Sequence, residues 1–394
     1  MTVQQIDLPQ PSEDAQSSSD ALLELIRTEI HKHGGRISFA RYMELALYAP
    51  GLGYYSGGCQ KIGTAGDFIT APEISSMFSA CLANQISQVL AGLAVSVKAY
   101  VLEVGAGSGR MAADLLISLE QNNTLPAQYM ILELSAELKQ RQNETIRRMV
   151  PHLIDRVVWI DQLPENGFCG VVVANELLDA MPVHKFIVQD NELREYYVTW
   201  ANDRLEWEVG DLATANIEPR LADFRAEFIE GYTSEVNLAA SAWINTIGGL
   251  LKSGVILMID YGYPRHEYYH PQRISGTFRC HYQHRAHDDP FLYPGLQDIT
   301  AHIDFTALAE SAVEAGLDIS GYTTQAHFLI DCGLGGIAED RYSQDIKQQL
   351  IISQQIKKLT LPSEMGEVVK VMALSRNYSV PLLGFRTQDM RAKL

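Results

Sequence analysis

The sequence predicts an α/β protein with a Rossmann-like, doubly wound sheet of seven strands, an N-terminal helical cap and an insertion after the fourth strand. Short apolar runs alternate with helical segments from about residue 96 onward, which is typical of parallel strands joined by crossover helices. The chain has 394 residues, 46% of them hydrophobic, so it can bury a large core. A glycine-rich turn joins the first of these strands to a helix, as in nucleotide-binding folds.

The amino-terminal part divides into three predicted segments. Residues 1–18 are polar and contain proline, which predicts a disordered lead-in. Helical spacing of apolar residues, with Ser38 as a helix N-cap, predicts a helical cap within residues 19–95. Six glycines within residues 48–68 predict a loop that could close over a ligand as a lid.

The core is predicted to span residues 96–394. Its seven strands are predicted at AYVLEVGAG, AQYMILELS, RVVWID, GVVVAN, GVILMIDYG, GYTTQAHFLI and GEVVKVMALSR. Residues 186–243 interrupt the alternation, because EYYVTW and LEWEV flank a polar turn and predict a β-hairpin followed by a helix. This insertion is predicted to present a substrate surface.

The glycine-rich turn carries the sharpest functional signal. Gly105, Gly107 and Gly109 have GxGxG spacing, whereas dinucleotide-binding turns have GxGxxG. Glu103 precedes the turn, where a carboxylate would repel a pyrophosphate but could bind the cationic amino-acid end of S-adenosyl-L-methionine. The turn therefore favours adenosylmethionine over NAD as the cofactor.

Polar residues after the next strands complete the predicted cofactor site. Glu133 follows the second strand and could accept hydrogen bonds from both ribose hydroxyls. Asp161 closes the third strand and is predicted to accept from the adenine amino group, with Gln162 beside it. Asn175 ends the fourth strand and is assigned to the cofactor as well. A charge placed at a helix N-terminus is the alternative explanation for Glu133 and Asp161.

Three acids are the predicted catalytic residues. Glu176 and Asp179 follow the fourth strand, at the sheet edge where ligands bind in such folds, and Glu235 lies in the insertion. An arginine acceptor would need carboxylates that hold its guanidinium group and leave one nitrogen free to react. Helix capping is the alternative for Glu176 and Asp179. For Glu73, a capping box with Thr70 accounts for the acid without any substrate.

Composition excludes several classes of partner. The formal net charge of −17 argues against a nucleic acid and favours a cationic partner. No apolar run is long enough to insert into a membrane, and the first residues lack the features of a targeting peptide, so a cytoplasmic location is predicted. His281, His284 and His287 lack the spacing of a metal site, and no metal is predicted.

A succession of longer motifs resembles the MidA-type family of S-adenosylmethionine-dependent methyltransferases. The motifs cover nearly the whole chain after about residue 20 and include ISFARYMELALYAPGLGYYS, GDFITAPEISSMF, VLEVGAGSGR, VVVANELLDAMPVH, GTFRCHYQHRAHDDP and EMGEVVKVMAL. The resemblance implies a class I methyltransferase fold, S-adenosyl-L-methionine as methyl donor and a protein arginine as acceptor. Mitochondrial members dimethylate an arginine symmetrically and assist the assembly of respiratory complex I, so the resemblance also implies an arginine-bearing subunit as partner.

Carried over by position, the resemblance implies that the cofactor motif falls on Gly105, Gly107 and Gly109 and the ribose carboxylate on Glu133. It matches Glu176 to the first glutamate of the double-glutamate loop of symmetric arginine methyltransferases. Lys185 stands where the second glutamate is expected, so the second carboxylate is expected from Asp179 or Glu235. Two alternatives stay open: a methyltransferase of a small-molecule acceptor, and a non-enzymatic assembly factor that binds the cofactor. The oligomeric state is open, with a homodimer as one option.

Overall fold

The computed structural model describes residues 8–57, 70–94, 97–341 and 345–394. The chain forms two compact units, each assembled from three segments of sequence. The first unit comprises the described residues of Met1–Phe68, Asp179–Ala240 and His266–Ile303, and the second comprises those of Ile69–Leu178, Ser241–Arg265 and Asp304–Leu394.

The helices and strands have the following bounds. The helices are α1 (Glu13–Lys32), α2 (Phe39–Tyr48), α3 (Ala71–Ile74), α4 (Ser76–Gly92), α5 (Arg110–Gln121), α6 (Ala136–Met149), α7 (Ile217–Leu221), α8 (Leu238–Leu250), α9 (Arg265–Tyr268), α10 (Phe305–Glu314), α11 (Gln325–Asp331), α12 (Leu334–Asp340), α13 (Ile346–Thr360) and α14 (Met365–Val368). The strands are β1 (Arg36–Ser38), β2 (Ala99–Val104), β3 (Gln128–Leu132), β4 (Val157–Ile160), β5 (Phe168–Asn175), β6 (His184–Gln189), β7 (Glu192–Ala201), β8 (Arg204–Asp211), β9 (Thr233–Val236), β10 (Leu251–Tyr263), β11 (Arg279–Tyr282), β12 (Arg285–His287), β13 (Asp298–Thr300), β14 (Ile303–Asp304), β15 (Asp318–Thr324) and β16 (Val369–Arg376).

The second unit contains the predicted doubly wound sheet. Seven of the strands in this sheet lie in the order β15-β16-β10-β5-β2-β3-β4, so each of the seven predicted strands is present in it, and the short β14 pairs with β10 as an eighth strand. Strands β4, β3, β2, β5 and β10 are mutually parallel, and β16 runs antiparallel to both β10 and β15. The apolar core of this unit is formed by the buried side chains of these strands together with those of α4 and α5.

One predicted strand is too long. The prediction extended β15 through AHFLI, but these residues belong to α11. The side chain of Thr324 accepts a hydrogen bond from the backbone N–H of His327 at 3.4 Å and caps the helix. The apolar run alone does not distinguish a buried strand from a short buried helix.

The first unit contains a five-stranded antiparallel sheet and a three-stranded one. The larger has the order β1-β7-β6-β9, with β8 paired to β7, and the smaller has the order β12-β11-β13. The predicted hairpin is confirmed, since β7 and β8 pair antiparallel across a turn at Asn202 and Asp203, both with positive φ. Helices α1 and α2 pack their apolar faces into the core of this unit.

The boundaries of the predicted segments differ from those observed. Helix α1 begins at Glu13, because the Ser12 side chain accepts a hydrogen bond from the backbone N–H of Ala15 at 3.3 Å, so from Glu13 onward a helix replaces the predicted disordered lead-in. Helix α4, predicted in the cap, belongs to the second unit, and residues 266–303, predicted in the core, belong to the first. Most of the predicted lid, residues 58–68, lies outside the described residues.

Helices of the described residues are either too short or too polar to cross a lipid bilayer.

Candidate functional site

The glycine turn between β2 and α5 has a backbone that requires glycine. Gly105, Gly107 and Gly109 have φ values of +72°, +52° and +79°, which side-chain-bearing residues adopt with strain. A Cβ at position 105 would lie 3.0 Å from Cδ1 of Leu177, and one at position 109 would lie 2.8 Å from Cα of Gln142. The turn is thus packed closely against two other segments and leads directly into the N-terminus of α5, the position of a ligand-binding turn in such folds.

Glu103 lies at the end of β2, before the turn, and is 1% exposed. Its Oε2 accepts a hydrogen bond from the Tyr129 hydroxyl at 2.5 Å, whereas its Oε1 is buried without a hydrogen-bond partner in the described part of the chain. Burial raises the pKa of Glu103 to about 7, against a smaller lowering by Tyr129. The Oδ1 atom of Asn175, at the end of β5, is also buried and lacks a partner among the described residues. Two unmatched acceptors fit the ammonium group of the methyl donor, which would satisfy them.

Glu133 follows β3 and is held in a hydrogen-bond network that the sequence did not indicate. Its Oε1 accepts from the backbone N–H of Ser135 and its Oε2 from the Gln142 side chain, both at 2.9 Å. Gln142 also donates to the carbonyl of Gly107 at 3.2 Å and accepts from the indole N–H of Trp159 at 2.9 Å. Burial raises the pKa of Glu133. The proposed ribose acid and the glycine turn are therefore held together by one amide on α6.

Asp161 and Gln162 follow β4 and are both exposed. The Asp161 carboxylate pairs with the ammonium group of Lys139 on α6. Their position at the carboxyl end of a strand next to β3 is compatible with an adenine contact, and this role stays a prediction.

Glu176 is the first residue after β5 and adopts a left-handed conformation, with φ of +47°. Its N–H donates to the carbonyl of Ile259 on β10 at 2.9 Å. Its Oε1 accepts from the backbone N–H of Ala71 at 3.3 Å and from the Asn175 side chain at 3.4 Å. The half-buried carboxylate is thus positioned by α3 and by the end of β5.

Asp260 fixes the turn that follows Glu176. It is 1% exposed, and its Oδ2 accepts from the backbone N–H groups of Leu177 and Leu178 at 3.2 and 2.8 Å. These contacts make Asp260 an anchor of the turn.

The prediction that a capping box with Thr70 accounts for Glu73 is wrong. The Thr70 side chain makes no capping hydrogen bond at the start of α3. The Glu73 carboxylate instead accepts a hydrogen bond from the hydroxyl of Ser108, in the glycine turn. A partner 35 positions away in sequence gives no local signal.

Glu235 does not fit the catalytic role predicted for it. It is fully buried in the first unit, on β9, and its Oε1 accepts from the ammonium group of Lys185 at 3.0 Å. Its Oε2 accepts from the N–H and hydroxyl of Thr277 at 2.8 and 3.2 Å. Both oxygens are engaged inside the unit, so this acid is a structural partner of Lys185.

Asp179 is buried and also belongs to the first unit, where its carbonyl accepts from the N–H of Ala301 at 2.9 Å. Its catalytic role stays a prediction.

Two of the three histidines considered as metal ligands lie on the small sheet. His281 faces Ala286 across β11 and β12, whereas His287 faces Cys280, so their side chains lie on opposite faces of this sheet. Among the described residues, no group of three or more His, Cys, Asp or Glu side chains is arranged to hold a metal ion.

The sheet order with its antiparallel strand β16, the glycine turn after β2 and the acid after β3 define a class I S-adenosylmethionine-dependent methyltransferase. The chain belongs to the MidA-type family of these enzymes. Residues 81–323 match the family Methyltransf_28, described as "Putative S-adenosyl-L-methionine-dependent methyltransferase".

Solved structures and named proteins agree with this family. A COG1565 superfamily member from Burkholderia thailandensis, crystallised bound to S-adenosyl-homocysteine, is 44% identical, with a TM-score of 0.94 over 98% of this chain and 100% of the other. The protein named "Protein arginine methyltransferase NDUFAF7, mitochondrial" is 30% identical in Danio rerio, over 84% of this chain and 82% of the relative. The Mus musculus protein of that name is 29% identical, over 87% and 82%.

The predicted cytoplasmic location is contradicted by these comparisons. The relatives from Danio rerio, Mus musculus and Homo sapiens are all named as mitochondrial proteins.

Proposed function

We propose that this methyltransferase transfers a methyl group to an arginine side chain of a protein, with Glu176 holding the guanidinium group. The observation that carries the proposal is the packing of the Glu176 turn against the cofactor turn. Leu177, the next residue, would be 3.0 Å from a Cβ at Gly105. A side chain on such a turn can reach a group that reacts beside the cofactor.

The bound cofactor supplies an electrophilic methyl group on a positively charged sulfur. The protein has to bind a second cation beside it and orient one of its nitrogens toward the methyl group. The proton that this nitrogen loses on methylation passes to water. The Glu176 carboxylate can offset the charge of a guanidinium and hold it by paired hydrogen bonds. Its Oε1 already bonds to Ala71, which restricts the rotation of the carboxylate.

The finer parts of the proposal rest on the family resemblance. Symmetric dimethylation and a link to the assembly of a respiratory complex are proposed for this chain because the mitochondrial members of the family have them. The relatives' names support a protein arginine as acceptor. A small-molecule acceptor would fit the core site as well, but nothing in the described residues favours it specifically.

The proposal is tested by substituting Glu176→Gln. The variant keeps the size of the side chain and an acceptor for the Ala71 N–H, but loses the charge that binds the guanidinium. We expect methyl transfer to fall by at least about 100-fold while cofactor affinity changes by less than about threefold. Glu314→Gln, at an exposed site on α10, is the matched control.

The measurement is transfer of tritiated methyl groups from S-adenosylmethionine to proteins of a cell extract, followed by acid hydrolysis and separation of methylated arginines. Calorimetric titration of S-adenosyl-homocysteine gives the affinity. Label found only in small molecules would contradict the protein acceptor, and full activity of Glu176→Gln would contradict the assigned role.

A further inference from the structure

We propose that Glu73 binds the ammonium group on the methionine part of the cofactor, and so selects ligands that carry this amino-acid end. The proposal concerns the cofactor alone and does not depend on the identity of the acceptor.

Glu73 is attached directly to the cofactor turn. Its carboxylate accepts a hydrogen bond from the Ser108 hydroxyl, and Ser108 Oγ in turn accepts from the backbone N–H of Arg110 at 3.2 Å. Ser108 lies between Gly107 and Gly109, at the start of α5. The carboxylate is therefore held by the turn itself and is half-buried there.

The negative charge of Glu73 at the turn is not balanced by a cationic side chain of the described residues. Within the described residues, no Lys, Arg or His side chain forms an ion pair with Glu73. Arg110, which follows the turn, is engaged by Asp114, with its Nε 2.8 Å from Oδ2. The Glu73 carboxylate thus has no cationic partner among the side chains of the described residues, and the positive charge of a ligand could pair with it.

The strands next to the turn carry hydrogen-bond acceptors that lack donors among the described residues. Glu103 Oε1 and Asn175 Oδ1, on the two strands that flank the turn, are buried and lack partners in the described residues. An ammonium group has three N–H donors and can satisfy several acceptors at once. A methionine carboxylate or a phosphate would instead be repelled by Glu73 and Glu103.

Glu73 and Glu176 differ in the contacts of their carboxylates, although α3 bears on both. Glu176, the acid proposed for the guanidinium, is held by the backbone N–H of Ala71 on α3 and by the ends of β5 and β10. Glu73 is placed by the glycine turn, on which the amino-acid end of the cofactor rests in the predicted site. The hydrogen bond between Glu73 and Ser108 therefore favours the cofactor as the ligand of Glu73.

The test compares two ligands by calorimetry with the full chain. S-adenosyl-homocysteine carries the amino-acid end, and 5′-methylthioadenosine shares the adenosine and the sulfur but lacks it. Glu73→Gln keeps an oxygen for Ser108 and removes the charge. Glu314→Gln is again the control.

We expect Glu73→Gln to weaken S-adenosyl-homocysteine binding at least about tenfold and to leave methylthioadenosine binding within about twofold. Retained binding of methylthioadenosine also shows that the variant is folded. Equal weakening of both ligands would overturn the proposal, because Glu73 would then only shape the turn. Unchanged affinity for both, with reduced methyl transfer at saturating cofactor, would overturn it in favour of the acceptor side. Neither outcome depends on whether the acceptor is an arginine.

Discussion

At the scale of single residues, the site contains a strained backbone and a buried acceptor, both of which cost free energy of folding. Glu176 has a left-handed backbone, which costs about 1 kcal/mol or more for a residue with a side chain, and Asp260 and the end of β10 stabilise the turn against it. Glu103 is buried with one carboxylate oxygen unmatched in the described residues. Backbone strain and unpaired buried acceptors are typical of binding sites, where a ligand can complete the hydrogen bonds.

Glu103 should make stability and cofactor affinity depend on pH in opposite directions. Its folded pKa of about 7 lies above the ordinary value of 4.5, so its contribution to stability is present at low pH and is lost as the pH rises through about 7. We expect the unfolding free energy of the cofactor-free protein to fall by up to about 3 kcal/mol relative to Glu103→Gln between about pH 5 and about pH 8. Urea unfolding at several pH values measures this difference.

Cofactor affinity should rise over the same range, because the ionised carboxylate binds an ammonium group better than the protonated one. The rise should be absent from Glu103→Gln. If the unfolding free energies of the two proteins depended on pH in the same way, the pKa of folded Glu103 would lie near its ordinary value of 4.5 and this prediction would be wrong.

At the scale of elements, the parts that the sequence predicted correctly are those with a local pattern. The seven strands and the glycine turn follow from apolar runs and from residue spacing within a few positions. The pairs Glu73–Ser108 and Lys185–Glu235 join residues 35 and 50 positions apart, and only the fold brings them together. The sequence therefore identified Glu235 and Lys185 separately but could not show that each neutralises the other.

Strands β6 and β9 should depend on the buried ion pair between Lys185 and Glu235, which stand directly opposite each other in the sheet. Lys185→Met leaves a buried carboxylate without its cation, and we expect a loss of about 3–5 kcal/mol in unfolding free energy. Adding Glu235→Gln should restore about 1–3 kcal/mol of it, since the remaining amide can still accept from Thr277. A double-mutant cycle by urea unfolding measures the coupling. Additive losses would show that the pair is not coupled.

At the scale of the whole molecule, the formal charge of −17 bears on the choice of acceptor. A strongly acidic protein attracts basic segments over distances of about a Debye length, roughly 10 Å at 0.1 M salt. The predicted exclusion of nucleic acid follows from the same charge.

If the acceptor is an arginine in a basic protein segment, its KM should rise severalfold as salt increases from about 0.05 M to about 0.5 M, with kcat nearly constant. The affinity for S-adenosyl-homocysteine, which has no net charge, should change less. Initial rates with an arginine-rich peptide and calorimetry under the same conditions provide the comparison. A KM independent of salt would show that the overall charge does not guide the acceptor.

The position of β16 determines when the sheet of the second unit can be completed during synthesis. This strand follows both β10 and β15 in the chain, yet it lies between them in the sheet. During synthesis on the ribosome, β10 and β15 must each wait with an unpaired edge until Val369–Arg376 has emerged. Exposed edges of this kind invite pairing with other chains, so the nascent protein is vulnerable to aggregation, and dependent on chaperones, until β16 has emerged.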